Sequence, residues 1–257
     1  MSMLMIFSAL MSGALVGALL GLFGGGGSVL ATPLLLYVVG IHDPHVAIGT
    51  SAAAVAVNAG MNLVGHGRGG RVKWPCATVF AGAGLIGSFF GATLAKAVDG
   101  QRLLLWFALA MAAIALSMMR RPRSQGDPLV HISAGLMLKL APLGVVTGLA
   151  AGFFGIGGGF LIVPGLMAAT GMTLANATAS SLLSVSLFGA ATSLNYAASG
   201  LINWPVAGLF ILGGLGGGAL GVRSASLLAE HALLARRLFA TLVLFVAAYV
   251  AFRATTG

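Results

Sequence analysis

Acidic residues are almost missing. The 257 residues hold 4 Asp+Glu against 13 Lys+Arg, and charged residues of both signs make up only 7%. Soluble domains carry about 25% charged residues, so this chain has too few to cover a water-facing surface. Cysteine is nearly absent too. The lone Cys76 excludes an intramolecular disulfide and a thiolate metal site. The glycine run in "GLFGGGGSVLATP" lacks the Lys-Ser or Lys-Thr pair of a phosphate-binding loop, which excludes that loop. No acid or base lies deep in an apolar run, which argues against a carboxylate proton relay and a redox chain. No nucleophile–base–acid set is visible, so an enzyme is not expected, and no cofactor or metal is called for. The start "MSMLMIFSAL" lacks the basic region and cleavage site of a signal peptide and reads as a first membrane span.

What is abundant is apolar. Hydrophobic residues make up 59% of the chain, and the mean hydropathy is +1.06. Lipid is therefore the expected solvent, and the fold class expected is an all-α polytopic membrane protein with the bilayer as its partner. In a soluble protein the net charge of +9 would suggest nucleic acid. Here the cations, and His66 beside those of "HGRGGRVK", sit between apolar runs and read as topology signals, so no nucleic-acid partner is expected.

The sequence also repeats itself. Residues 21–40 lie on 152–171 with nine of twenty positions identical, including Phe23/Phe154, Gly24/Gly155 and Pro33/Pro164. The match drops one residue and continues. "AIGTSAAAV" lies on "ATASSLLSV", "GGRVKWP" on "SGLINWP", and Gly84, Gly87 and Gly91 fall on Gly214, Gly217 and Gly221. A period near 130 in a membrane protein suggests two structural halves. We divide the chain into repeat 1 at 1–119, a connecting loop at 120–135 and repeat 2 at 136–257. Expected segments are 3–22, 28–41, 45–65, 74–98 and 102–119, then 136–154, 159–172, 175–198, 204–228 and 234–253. The segments 28–41 and 159–172 are short for about 30 Å of hydrocarbon.

Charge sets the orientation. With five crossings per half, Arg68, Arg71, Lys73, Arg120, Arg121, Arg123, Lys139, Arg223, Arg236 and Arg237 share one side. Only Lys96, Arg102 and Arg253 face the other. The first side is then cytoplasmic, both termini are periplasmic, and the second half is inverted relative to the first. With four crossings per half the bias nearly vanishes.

Most glycines, including 213–218, are read as helix packing. The paired clusters 24–28 and 155–159 differ, because each interrupts a span before a short helix. Exposed N–H groups at a helix start favour an anion, and in lipid they need a protein interior. The expectation is one midplane site with the clusters as its two walls. Its candidate substrate-binding residues there are Gly26, Gly27, Ser28, Gly157, Gly158 and Gly159. At about 100° per residue, Ser51, Asn58 and Asn62 form one polar stripe, next to Thr50. Ser181, Ser184, Thr192 and Asn195 form a matching stripe, next to Ser180. Interhelical hydrogen bonding explains one or two such residues, but two matched stripes less well. The loop His42-Asp43-Pro44-His45 reads as turn chemistry before metal binding.

These motifs resemble the sulfite exporter TauE/SafE family, also called the sulfonate uptake permease family. The carriers are "GLFGGGGSVLATPLLL" and "GFFGIGGGFLIVPGL", each followed by "AIGTS" or "ATASS" and then by the "KWP"/"NWP" corner. Gly25 and Ser28 depart from the Ile156 and Gly159 of the second copy. The resemblance covers nearly the whole chain. It implies a secondary transporter of small sulfur-containing anions in a bacterial inner membrane, with a coupling ion as a further partner. A passive channel and a scaffold without substrate are the competing readings.

Overall fold

The computed structural model describes residues 2–119, 134–155, 159–227 and 232–256. The sequence-expected loop 120–135 therefore falls almost wholly outside the described residues, as do Gly157 and Gly158. The fold is all-α. Helix α1 is Met3–Phe23, and the chain then continues through a 3-10 stretch Gly24–Leu30, a short α2 at Ala31–Leu34 and a π stretch Leu35–Val39. There follow α3 (Pro44–Arg68), α4 (Trp74–Lys96), α5 (Gly100–Met119), α6 (Ala134–Phe154), α7 (Gly159–Thr170), α8 (Leu174–Ala197), α9 (Trp204–Leu227) and α10 (Ala232–Thr256). Counting Met3–Val39 as one, eight helical stretches among the described residues are long and apolar enough to cross a membrane. The chain is a polytopic membrane protein. Exposed apolar side chains such as Phe7, Leu138 and Phe245 cover its surface, as a lipid solvent requires.

The local signals are legible. Asp43 caps α3 by accepting from the N–H groups of His45 and Val46, with Pro44 in the first turn. The His-Asp-Pro-His loop is thus a helix start, and no metal-capable cluster exists among the described residues. The expected second segment begins earlier than its apolar run. Backbone helicity resumes at Gly24, where φ is +60°.

Glycine ladders hold the bundle together. A Cβ on Gly13, Gly17 or Gly21 of α1 would strike the backbone of α9 at Phe210, Gly214 and Gly218. A Cβ on Gly144, Gly148 or Gly152 of α6 would strike α4 at Phe80, Gly84 and Ser88. Each residue of the second set is the sequence match of its counterpart in the first. Within lipid, such close backbone approach supplies the packing that hydrophobic burial cannot.

Contact order gives helix direction. The ladders run in register, so α1 is parallel to α9 and α6 to α4. Asn62 meets Gly17 and His66 meets Gly21, so α3 runs parallel to α1. Gly49 meets Tyr196, Ala52 meets Gly189 and Gly60 meets Ser186, so α3 and α8 are antiparallel. The segment 24–43 therefore carries the chain back to the end where α1 began. The positive-φ glycines of the described chain also form matched pairs: Gly24 with Gly155, Gly40 with Gly171, and Gly70 with Gly200.

Candidate functional site

The two Thr-Ser and Ser-Ser pairs tie the sequence halves together. Ser181 Oγ accepts the N–H of Gly25 at 3.1 Å, and Ser51 Oγ lies 3.3 Å from the carbonyl oxygen of Gly155, to which it donates. Thr50 Oγ1 accepts the N–H of Asn203 at 2.9 Å, and Ser180 Oγ accepts that of Lys73 at 2.9 Å. Ser51 and Ser181 thus reach residues one position apart in the match, and Thr50 and Ser180 reach matched residues, each on the opposite half. The first pair holds the two helix breaks, and the second holds the corners that begin α9 and α4.

The breaks themselves do not meet. Gly24 lies against Thr178 in the first turn of α8, and Gly155 lies against Ile48 in the first turn of α3. Because α3 and α8 are antiparallel, these are opposite ends of the bundle. The expected pair of facing walls is corrected accordingly: each break faces a serine of the other half. The physical reason lies in the short segments, which start at opposite ends and touch along the way, with α7 packed on the stretch after Gly24. A Cβ at Gly24 would overlap the Thr178 carbonyl, and the left-handed φ at this point itself favours glycine.

The remaining cluster residues separate by space. A Cβ at Gly27 would overlap the α1 backbone at Leu19 and Leu20, so Gly27 is needed for the fold. A Cβ at Gly26 would meet only ordinary contacts at 3.8 Å. Ser28 is fully buried and donates to the carbonyl oxygen of Gly25 at 2.7 Å. Gly159 opens α7. Within 213–218 the packing reading holds at Gly213, Gly214, Gly217 and Gly218, whereas Gly216 faces open space.

The polar stripes divide in the same way. Asn62 donates to the carbonyl of Gly17 at 3.3 Å. Thr192 pairs with Ser88 at 3.1 Å. Asn195 donates to Thr93 Oγ1 at 2.8 Å and to the carbonyl of Phe89 at 3.3 Å. These three side chains bond neighbouring helices. Two stripe residues are left over. Asn58 is 1% exposed and neither atom of its carboxamide has a partner. Ser184 is fully buried and its hydroxyl has none. Asn58 lies midway along α3, pressed against Gly214.

Sequence reasoning missed several members. Thr32 bonds Ser51 at 2.9 Å. His66 is 3% exposed, with Nε2 3.0 Å from the carbonyl of Gly21, whereas it reads in the sequence as a topology signal. That carbonyl lies one turn before the break, where the Gly25 N–H turns to Ser181. The duplication held a clue, since His66 matches the buried Tyr196.

The family model described as Sulfite exporter TauE/SafE matches residues 9–250. A "Probable membrane transporter protein" of Xylella fastidiosa is 51% identical over 246 residues, covering 94% of this chain and 93% of that protein. "Probable membrane transporter protein YunE" of Bacillus subtilis is 27% identical, covering 80% and 82%. "Probable membrane transporter protein MJ0441" of Methanocaldococcus jannaschii is 32% identical over 59% of this chain and 58% of its own. No solved structure matches the chain significantly.

Proposed function

The chain belongs to the sulfite exporter TauE/SafE family of membrane transporters, and on that premise we propose that it is a secondary transporter of small sulfur-containing anions, sulfite or organosulfonates, held near the membrane midplane between two inverted repeats. The observation that carries the site is Asn58. A carboxamide buried without partners costs roughly 1–3 kcal/mol per unmet group, so a fold has no reason to keep it for stability. The sequence repeat sharpens the point, because Asn58 matches Phe188 and Ser184 matches Ala54. Phe188 lies against Gly84 as Asn58 lies against Gly214. The scaffold is satisfied by phenylalanine at that place, and asparagine is the functional variant. Amide and hydroxyl donors suit an anion in a site with no formal charge.

Inversion is supported by helix direction. Parallel α1 and α3, with the segment between them returning, favour five crossings in the first half, and five is odd. The cation bias then puts the 120–135 loop in the cytoplasm and both termini in the periplasm of a bacterial inner membrane. The test is a thermal-shift screen of the purified protein with sulfite, thiosulfate, sulfoacetate and taurine. A ligand bound only to the folded state raises Tm by mass action. Stabilisation by a sulfur anion in the wild type, lost in Asn58→Leu, supports the reading, and no shift with any of them contradicts it.

A further inference from the structure

At the end of the bundle where α4 and α8 finish, polar side chains gather round one ring. Lys96 Nζ lies over the Tyr196 ring, 5.9 Å from its centre. The His45 ring packs against the same tyrosine, with centres 6.3 Å apart, and its Nε2 lies 3.2 Å from the carbonyl of Val98. Lys96 donates to the carbonyl of Asn195 at 3.1 Å and to Ser199 Oγ at 2.8 Å. Both acceptors are neutral. The two acids among the described residues, Asp43 and Asp99, instead accept backbone N–H groups at the starts of α3 and α5. Lys96 thus brings a positive charge to the bundle with no carboxylate bonded to it. Beneath it, Tyr196 is fully buried and its hydroxyl has no hydrogen-bond partner, with the Asp43 carboxylate the nearest acid to act on it.

The duplication shows that the fold does not need this set. Lys96 matches Ser226, Tyr196 matches His66, Ser199 matches Gly69 and His45 matches Ala175. The charge bias also runs against it, because Lys96 is one of only three cations at this end. A cation kept where topology disfavours it, above a hydroxyl that stability disfavours, asks for a ligand that uses both. We propose that Lys96 and Tyr196 form a docking site for a small oxyanion at the end of the bundle opposite the cation-rich face. The ammonium supplies charge and the phenol supplies a hydrogen bond. Tyr196 also touches Gly49 of α3, two residues before Ser51, so the docked anion stands at the start of the α3 polar stripe.

Assigning the site to the transported anion rests on the transport reading above, whereas oxyanion binding itself does not. The test is calorimetric titration of the full-length protein in detergent with sulfite, and separately with phosphate. Lys96→Gln is expected to weaken binding by about tenfold or more, as loss of a charge-assisted bond implies, and Lys96→Arg to restore most of it. Tyr196→Phe removes a hydroxyl that has no partner, so Tm should hold or rise while affinity falls. A merely structural tyrosine would not separate the two readouts. Binding of sulfite that is unchanged in both Lys96→Gln and Tyr196→Phe overturns the docking site and leaves the transport reading standing. If the wild type binds phosphate but no sulfur anion, the transport reading fails, and the docking site holds only if Lys96→Gln weakens phosphate. Binding of neither anion overturns the docking site.

Discussion

The N–H of Gly25 donates to Ser181 Oγ at 3.1 Å across 156 positions of sequence, and the matched Ser51 donates through its Oγ to the carbonyl of Gly155. A helix break in lipid frees backbone groups that must find partners inside the protein. Here each break finds one on the span of the other half. The break and the serine are thus one device, present twice.

Removing Ser181 leaves the Gly25 N–H buried and unmet. We expect Ser181→Ala to cost about 1–3 kcal/mol, seen as a lower Tm, and Ser181→Thr to recover part of it. An unchanged Tm in Ser181→Ala would mean that another group takes over the amide.

The glycine ladders make a graded prediction. Gly17→Ala and Gly148→Ala drive a methyl into the carbonyls of Gly214 and Gly84. Each should cost about 1–3 kcal/mol or more through overpacking and lower the yield of folded protein. Gly216→Ala, in open space, should be neutral or slightly stabilising by helix propensity. Size-exclusion yield and Tm of the three variants check this.

Within the first break, Gly26 and Gly27 should behave differently. Gly27→Ala meets the α1 backbone and is expected to lower folded yield, whereas Gly26→Ala has room. If Gly26 lets an anion approach its amide, Gly26→Ala should keep Tm and raise the KM for transport. Unaltered KM would remove Gly26 from the site.

Much of this was legible in the sequence, and the limits have physical causes. The repeat, the two interruptions and the two stripes that hold Asn58 and Ser184 follow from composition and period, because lipid restricts the chain to helices and leaves polar side chains conspicuous. Where the breaks sit was not legible. Pattern places Gly24 and Gly155 on matched segments, but only the antiparallel packing of α3 on α8 sends them to opposite ends. Nor does a stripe distinguish bonded from unbonded members: Asn62 and Asn58 share a face, yet Asn62 bonds the carbonyl of Gly17 and Asn58 has no hydrogen-bond partner. Lys96 and His66 were hidden because a cation or histidine near a span end reads as topology.

The proposed topology rests on helix direction and on the cation bias. Reporter fusions at Ser124 and at the C-terminus should report cytoplasm and periplasm respectively. A cytoplasmic C-terminus would contradict five crossings per half.

The most direct measurement is counterflow of labelled sulfite into proteoliposomes, for the wild type and for Asn58→Leu, with Asn58→Ala as a smaller alternative. Leucine removes two unpartnered polar atoms, so Tm should hold or rise by the equivalent of about 1 kcal/mol. The account expects saturable uptake in the wild type, accelerated by sulfite on the far side, and its loss in either Asn58 variant at undiminished Tm. Wild-type flux no greater than that of empty vesicles, flux indifferent to sulfite inside, or full activity in both variants would contradict a carrier whose anion site is built on Asn58.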